Sequence, residues 1–355
     1  MIYIYPQEFP NKRASCVHVL GLCEAFSILE ETDLFVLELT ANPLNLSQSF
    51  GMRELSIRQI FYILGRSDLI ITRSIKFAIL FSVLGRDTIL DIHADTSEWR
   101  KLHRILIRRL SPFLAKRLRV SVITRSLRDN VVALFDGYKV KVIPDGAEDL
   151  LQKPYLPKNE VELFLQNYKK NSIGYCGSFN PGKGVEIIID IAANMPEYPF
   201  IIVGGRDIDL EKVRNVMSER GIKNILLTGY VPSREVHYYL ALMDICLLPN
   251  KREVFVNGRK TNIGSHTSPL KLFEYFSMKK AVIASDIEVL KEVLVHQENC
   301  LLVNPDDIQS WVQAIEAVSN NKSLAEAIRC TARKQFEIKY SWNIRAKNLK
   351  ALTIE

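Results

Sequence analysis

The sequence has 355 residues, of which 47% are hydrophobic and 25% charged, and its formal net charge is +7. This length exceeds what one hydrophobic core usually serves, and the composition excludes a disordered or fibrous chain, so we expect two folded domains. No apolar run approaches the roughly 20 residues that span a bilayer, and the opening MIYIYPQEFP lacks the layout of a secretion signal. We therefore expect a cytoplasmic protein.

Short β-branched or apolar runs alternate with helical patterns along the whole chain, which is typical of parallel sheets with crossover helices. The predicted strands are 2–5, 34–39, 69–72, 88–92, 120–124 and 140–143 in the first half, and 172–175, 200–203, 225–227, 245–248, 281–284 and 301–303 in the second. The predicted class is α/β, with two Rossmann-like domains whose parallel sheets face a central cleft.

Two prolines and mixed charge interrupt this alternation in residues 150–171, where we place the linker. The first domain then covers residues 1–160 and the second covers residues 161–340. The segment 341–355 is predicted to form a helix that packs back on the first domain.

A basic segment, residues 99–119, contains eight Lys or Arg and no Asp or Glu. Leu102, Ile105, Leu106 and Leu110 recur at helical spacing, so we predict an amphipathic helix that is interrupted near Pro112. Two interpretations stay open: a solvated helix that packs on its own domain, and a patch that binds an anionic membrane surface. Interleaved aromatics and a nucleic-acid module are missing, so nucleic acid is not an expected partner.

The six cysteines lie among apolar neighbours without the paired spacing of metal ligands, which predicts buried free thiols rather than disulfides or a zinc site.

In the first half, TILDIHAD places Asp91 and His93 on the same side of a strand end, because side chains alternate along a strand. Asp95 follows two residues later. Ser15 and His18 lie where PNKRASCVHVLG opens the first helix. A single histidine more often has a structural role, in the core or a loop for His93 and as a cap or packing residue of the first helix for His18.

In the second half, GSFNPGKGVE follows a predicted strand and opens a helix. Its glycines, Gly177, Gly182 and Gly184, permit close backbone approach, and Lys183 supplies a positive charge, which together suit a phosphate. By itself, a glycine loop with one lysine is also compatible with an ordinary solvated turn.

The segment TSPLKLFEYF predicts a helix whose cap is Ser268 and whose first position is Pro269. Lys271 and Glu274 lie three residues apart and share a face of that helix, which offers a cation for a diphosphate and a carboxylate for ribose hydroxyls. An ordinary salt bridge between them is the alternative.

Taken in order, these segments resemble the retaining glycosyltransferases of the GT-B fold, family 4 (glycosyl transferases group 1), of the bacterial polysaccharide type. The resemblance covers nearly the whole chain and is carried by IGYCGSFNPGKGVEIIIDIA, TGYVPSREVHYYLALMDICLLPN, SPLKLFEYFSMKKAVIASDIEVLKEVL and SWNIRAK. It implies transfer of a sugar from a nucleotide-diphosphate sugar to a glycan or lipid-linked acceptor, with retention of configuration, in surface polysaccharide biosynthesis.

The resemblance also implies a donor site. Glu274 matches the second of two family glutamates, the one that commonly holds the ribose, whereas His266 stands in place of the first. Lys183 matches one member of a phosphate-binding Arg–Lys pair, Ser178 stands at the arginine position, and Lys271 is a candidate for the second cation. The implied donor-site residues are Gly177, Ser178, Lys183, Tyr230, Val231, His266, Ser268, Pro269, Leu270, Lys271 and Glu274.

On the acceptor side, His93 matches a family position near the transferred sugar. The implied acceptor-side residues are Ser15, His18, Asp91, His93 and Asp95, and the implied catalytic residues are His93, Lys183 and Glu274. Because side-chain and helix-end charges would stabilise the departing diphosphate, we expect neither a protein-bound metal nor a cofactor besides the nucleotide sugar.

Two alternatives remain at this point. One is a nucleotide-sugar epimerase, which uses the same architecture without a separate acceptor. The other is a non-catalytic partner subunit. The presence of Ser178 in place of the family arginine and of His266 in place of the first glutamate favours it. Retained Lys183, Lys271 and Glu274 argue against the second.

Overall fold

The structure is a computed structural model that describes residues 1–9, 14–39, 49–94, 96, 99–156, 158–256, 261–262, 264 and 270–353. The chain forms two compact units, the first from Met1–Gly146 with Trp342–Glu355 and the second from Ala147–Ser341. Within the described ranges, no helix is both long and apolar enough to cross a bilayer.

The first unit is built on a seven-stranded parallel sheet. Its strands are β1 Ile2–Phe9, β2 Asp33–Leu39, β3 Gly51–Glu54, β4 Ile70–Thr72, β5 Thr88–Ile92, β6 Leu118–Val122 and β7 Val140–Val142. They are ordered β3-β2-β1-β4-β5-β6-β7. The helices are α1 Ala14–Ser27, α2 Ile57–Leu64, α3 Ile75–Val83, α4 Lys101–Arg109, α5 Ser111–Leu114, α6 Arg125–Val131 and, from the end of the chain, α15 Trp342–Ala351.

The second unit is built on a six-stranded parallel sheet. Its strands are β8 Ile173–Cys176, β9 Phe200–Val203, β10 Ile225–Gly229, β11 Ile245–Leu248, β14 Ala281–Ser285 and β15 Leu301–Val303, in the order β10-β9-β8-β11-β14-β15. A small antiparallel hairpin pairs β12 Phe255–Val256 with β13 Thr261–Asn262.

Helices flank this second sheet. They are α7 Asn159–Leu165, α8 Val185–Asn194, α9 Asp207–Glu219, α10 Val236–Ala241, α11 Leu270–Ser277, α12 Glu288–Lys291, α13 Ile308–Asn320 and α14 Lys322–Gln335. A π-helical turn, Phe336–Tyr340, follows α14, and 3-10 turns occur at Leu150–Gln152 and Ser233–Glu235.

The α/β prediction with two Rossmann-like parallel sheets is confirmed. All twelve predicted strands are present, although several ends differ. Most of them carry the run of buried apolar residues that marks a central parallel strand, whereas β7, at the edge of its sheet, does not. Strand β3 and the β12–β13 hairpin were not predicted. Strand β3 lies at a sheet edge and is mostly exposed, so its sequence GMRE carries no apolar signal.

The basic segment forms two helices, α4 and α5, that meet at Leu110, as the interruption near Pro112 predicted. The expected apolar face does not pack as a unit, because Leu102 is 62% exposed and Ile105 is 47% exposed. Ile107, which lies outside the predicted apolar set, is the residue of α4 that enters the core.

The expectation of free cysteines holds for all six, and five of them are buried, but Cys330 is exposed on α14.

Helix α15 packs tightly against α1 within the first unit. The contact is made by Trp342, whose indole Nε1 lies 2.3 Å from the position that a Cβ atom on Gly21 would occupy. A larger residue at Gly21 would therefore push the two helices apart. This packing brings the next turns of α15 to the carboxyl ends of the central strands.

Candidate functional site

The loop between β8 and α8 is a close-packed glycine turn. Gly182 and Gly184 have φ values of 86° and 78°, in the left-handed region that favours glycine. A Cβ atom on either one would lie 1.9 Å from a backbone carbonyl oxygen, that of Glu253 or that of Pro249. The loop is therefore held rigidly by the backbone of residues 249–254, and side chains larger than hydrogen are excluded at both positions.

Lys183 lies inside this loop and is only 9% exposed. Burial lowers the pKa of its ammonium to about 8. Among the described residues, no carboxylate lies within ion-pair distance of Nζ. A desolvated cation without a counter-charge favours an anionic ligand.

Lys271, in the first turn of α11, supplies a second cation on the same side. Its Nζ donates to Oη of Tyr175 at 3.1 Å and lies 4.3 Å from the centre of the Tyr175 ring. Burial, together with the nearby charge of Lys183, lowers the pKa of Lys271 to about 7. The two ammonium groups therefore repel one another, and an anion bound between them would relieve that repulsion.

Glu274 lies one turn further along α11, half-buried. Burial raises the pKa of its carboxyl group, and the charge of Lys271 opposes this shift. The alternative of a simple salt bridge is wrong: these two described side chains form no ion pair, because Lys271 is turned towards Tyr175 instead. The Glu274 carboxylate is left available to accept hydrogen bonds from a ligand.

The other predicted donor-site residues are placed as follows. The carbonyl of Ser178 accepts a hydrogen bond of 2.8 Å from Oη of Tyr175, so the tyrosine links this strand end to Lys271. Leu270 begins α11. Tyr230 follows β10 and is 64% exposed, whereas the next residue, Val231, packs against the core of the second unit. His266, Ser268 and Pro269 lie outside the described residues.

In the first unit, Asp91 and His93 meet at the end of β5. The Nε2 atom of His93 lies 2.7 Å from Oδ2 of Asp91, which agrees with the same-side placement expected from strand alternation. Asp91 is buried and also accepts hydrogen bonds from Ser121 Oγ at 2.6 Å and from Arg345 Nη2 at 2.8 Å to each carboxylate oxygen. Burial opposes ionisation of Asp91, but Arg345 and His93 outweigh it and hold the pKa well below its usual value.

His18 and His93 share a second carboxylate, that of Asp145. Its Oδ1 atom lies 3.1 Å from Nδ1 of His18 and 3.7 Å from Nδ1 of His93, and the two imidazole rings are 5.1 Å apart. Burial and the charge of Arg73 lower the pKa of His93 to about 4, so its ring is neutral at neutral pH. The pKa of Asp145 is lowered because His18 and His93 outweigh the effect of burial.

Sequence reasoning missed Arg345 and Asp145. Arg345 stands in the matched segment SWNIRAK, and its nearly complete burial is the unusual feature, but nothing in the sequence pairs it with Asp91. Asp145 follows β7 in VIPDGAED, where only its position after a predicted strand could have indicated a site. The side chain of Ser15 and the whole of Asp95 lie outside the described residues.

The side chains of His18, His93 and Asp145 are grouped closely enough to suggest metal ligands. One potential ligand atom from each residue lies within 4.8 Å of the others. However, Arg345 Nη2 lies 3.9 Å from Asp145 Oδ1 and already compensates that charge. A divalent cation would be placed beside a buried guanidinium, which is electrostatically unfavourable.

The comparisons with known proteins concern both the sequence and the fold. Residues 170–321, all in the second unit, match the family model of glycosyl transferases group 1. HepE of Anabaena, solved in complex with UDP, superposes with a TM-score of 0.73 at 13% identity, and each chain is covered to 100%. The fold is GT-B.

Curated relatives match this chain at low identity. The chain is 26% identical over 233 residues to an uncharacterized 41.2 kDa protein in the cps region of Klebsiella pneumoniae, and 23% identical over 256 residues to O-antigen chain mannosyltransferase C of Escherichia coli. The matches cover 63% and 70% of this chain. The chain spans 57% and 64% of the length of these two relatives.

Proposed function

We propose that the protein is a glycosyltransferase that moves a sugar from a nucleotide-diphosphate sugar to a glycan or lipid-linked acceptor in polysaccharide biosynthesis. One observation carries the proposal: the segment that matches glycosyl transferases group 1 contains two mutually repelling ammonium groups, the buried Lys183 and the half-buried Lys271, beside a tight glycine loop. A diphosphate is the ligand whose charge would compensate both. The E. coli relative, an O-antigen chain mannosyltransferase, supports the polysaccharide context.

In this proposal, the two lysines act on the leaving group. Cleavage of the bond between the sugar and the diphosphate transfers negative charge to the diphosphate oxygens, and cations that are already desolvated stabilise this charge more strongly than solvated ones. Gly177 allows the backbone to approach the phosphates, and Glu274 accepts hydrogen bonds from the ribose hydroxyls. Transfer then proceeds with retention of configuration, and the lysines take the place of a protein-held divalent cation.

We further propose that the acceptor is presented at an anionic membrane surface by helices α4 and α5. Three of their apolar side chains, Leu102, Ile105 and Phe113, are 62%, 47% and 75% exposed. Exposed Arg104, Arg108 and Arg109 accompany them on α4. Exposed apolar side chains interleaved with basic ones suit a lipid headgroup layer, to which each cation contributes about 1 kcal/mol.

Vesicle sedimentation tests the membrane part separately. Reversing the charges of Arg104, Arg108 and Arg109 to Glu should abolish sedimentation with phosphatidylserine-containing vesicles and leave nucleotide binding unchanged. Reversal of Lys212 and Arg214 on α9 of the second unit is the matched control and should leave sedimentation intact. Equal sedimentation of both variants would reject the membrane surface as a partner.

A thermal-shift panel of UDP, GDP, ADP, CMP and their common sugars tests the donor site. A ligand present at 100 times its Kd stabilises the native state by about 2.7 kcal/mol, which raises the melting temperature. We expect one diphosphate to stabilise the protein, and Lys183→Ala and Glu274→Ala to lose the effect. Lys251→Ala is the control, because Lys251 lies next to the same loop but pairs with Glu186 at 2.8 Å.

Product analysis then distinguishes the enzyme classes. Net sugar transfer that depends on an added acceptor supports the proposal, whereas conversion of one nucleotide sugar into another without acceptor would establish an epimerase. If no nucleotide shifts the melting temperature, the donor site is rejected and a non-catalytic subunit remains.

A further inference from the structure

We propose that Arg345 and Asp91 are positioning residues that hold His93 as the tautomer protonated on Nε2, so that its Nδ1 atom accepts a hydrogen bond from a sugar hydroxyl of the substrate. The identity of the hydroxyl rests on the proposed function. The tautomer itself follows from contacts and burial within the first unit.

The first step concerns the charge of Asp91. Arg345 Nη2 donates to both of its carboxylate oxygens at 2.8 Å, and Ser121 Oγ donates to Oδ1 at 2.6 Å. Asp91 and Arg345 are both buried, so water does not compete for these bonds. A carboxylate with three such donors is ionised and can act only as a hydrogen-bond acceptor.

The second step fixes the proton of His93. Its Nε2 atom lies 2.7 Å from Oδ2 of Asp91, and an ionised carboxylate oxygen at that distance requires an N–H on the ring nitrogen. Arg345 Nη2 is 3.4 Å from the same nitrogen and, as a donor, would favour an unprotonated Nε2, but the shorter bond to Asp91 outweighs this weaker contact. Because burial keeps the ring neutral, Nδ1 then carries a lone pair and no proton.

The third step concerns the surroundings of Nδ1. Among the described residues, Oδ1 of Asp145 lies 3.7 Å from Nδ1, and it is also an acceptor, so no hydrogen bond forms between the two. That oxygen is 3.1 Å from Nδ1 of His18, which can supply its donor. The His93 side chain keeps 8% of its surface exposed. A ligand hydroxyl is the group that would donate to Nδ1.

One guanidinium organises both carboxylates around His93. While Nη2 of Arg345 holds Asp91, its Nη1 donates to the backbone carbonyls of Ile143 and Pro144, at 2.7 Å for the latter. Ile143 and Pro144 immediately precede Asp145 in the chain. Arg345 therefore fixes the partner on each side of the imidazole, and Trp342 fixes Arg345 by anchoring α15 on α1.

Long-range proton–nitrogen NMR of 15N-histidine-labelled protein tests the tautomer directly. At neutral pH, we expect His93 to show a protonated Nε2 and an unprotonated Nδ1. His237, whose Nε2 lies 3.2 Å from the carbonyl oxygen of Pro154 in the second unit, is the internal control and should show the same pattern in every variant. A His93 signal with the proton on Nδ1 in the wild-type protein would overturn the proposal.

The variant Asp91→Asn gives the second arm. Its carboxamide keeps the shape of the side chain but can donate to Nε2, which moves the imidazole proton to Nδ1 and removes the acceptor. We expect the tautomer to invert and kcat/KM for transfer from the stabilising nucleotide sugar to fall about tenfold, the loss of one hydrogen bond. Inversion without a change in kcat/KM would reject the contact with a sugar hydroxyl.

Arg345→Lys covers the case in which Asp91→Asn does not fold. Lysine keeps the charge but cannot bridge Asp91 and the carbonyls of residues 143 and 144 together. We expect a mixture of His93 tautomers and a partial loss of kcat. A wild-type tautomer with wild-type kcat in this variant would reject Arg345 as a positioning residue. The correct tautomer in a protein without any transfer activity would contradict the proposed function and leave the tautomer assignment standing.

Discussion

The Nζ atom of Lys271 lies 1.9 Å from the position that a Cβ atom on Gly177 would occupy. No side chain other than hydrogen can therefore stand at Gly177 while Lys271 keeps its place. The same Cβ would lie 2.9 Å from Oη of Tyr175. Lys271 on α11 can therefore keep its position only if the residue that follows β8 is glycine.

For Gly177→Ala, we expect weaker nucleotide binding by about tenfold or more, because the methyl group displaces the ammonium that faces the diphosphate, and one hydrogen bond to a charged group contributes about 1.5–3 kcal/mol. The loss in folding stability should be small, because the nearest displaced atom, Nζ of Lys271, lies at the end of a long side chain. Calorimetric titration with the stabilising nucleotide measures the effect. Gly65→Ala, where the nearest atoms would lie at 3.5 Å, is the control; equal affinities in both variants would contradict the prediction.

Nucleotide binding should weaken as the pH rises through the range 7 to 8. The pKa values of Lys271 and Lys183 are lowered to about 7 and about 8 in the free protein, and the diphosphate binds their protonated forms. Each lysine therefore contributes up to a tenfold loss per pH unit above its pKa, and binding takes up protons. Titrations in buffers of different ionisation enthalpy measure the uptake. Lys271→Ala should retain only the step near pH 8, because burial alone lowers the pKa of Lys183, and an affinity that stays constant from pH 6 to 9 would contradict the prediction.

Removal of Arg345 should destabilise the protein strongly. Arg345→Ala leaves the buried Asp91 carboxylate without its cation, and such a loss costs about 3–5 kcal/mol. Urea denaturation measures the change. The control is Arg206→Ala, whose partner Asp209 forms an ion pair on the surface of α9, and it should leave the denaturation midpoint unchanged. A midpoint for Arg345→Ala close to that of the control would show that Asp91 finds another partner.

The stability of the protein should rise with pH between about 4 and 6.5. His93 is neutral in the folded state down to a pKa of about 4, whereas the unfolded chain takes up a proton near pH 6.5, so the unfolded state binds more protons in this window. The groups that act on the ring are Arg73, Arg345, Asp91, Asp145 and the neighbouring His18.

His93→Gln tests this slope, because it removes the titrating ring. Denaturation at several pH values should show that the free energy of unfolding rises less steeply with pH in the variant than in the wild-type protein. A variant of the exposed His296, which lies on the second unit, is the control and should keep the slope. Identical slopes for wild type and His93→Gln would assign the acid sensitivity to other groups.

The sequence predicted the two sheets well and the sites only in part. Buried strands such as β5 can be predicted from their apolar runs. The glycine loop around Lys183 can also be recognised in the sequence, because its residues are neighbours in the chain. The contact between Lys271 and Tyr175 is not local, since it joins side chains 96 residues apart. The bond between Arg345 and Asp91 joins residues 254 positions apart, and such pairings have no signature in spacing.

The packing of α15 on α1 also has a consequence for synthesis on the ribosome. The first unit receives its last helix only after all of Ala147–Ser341 has been translated. Until then, Asp91 lacks the Arg345 guanidinium and Gly21 lacks its contact with the Trp342 indole, so the packing of the first unit is incomplete. A chain that ends before Trp342 would therefore lack the Arg345 guanidinium that donates to both oxygens of the Asp91 carboxylate.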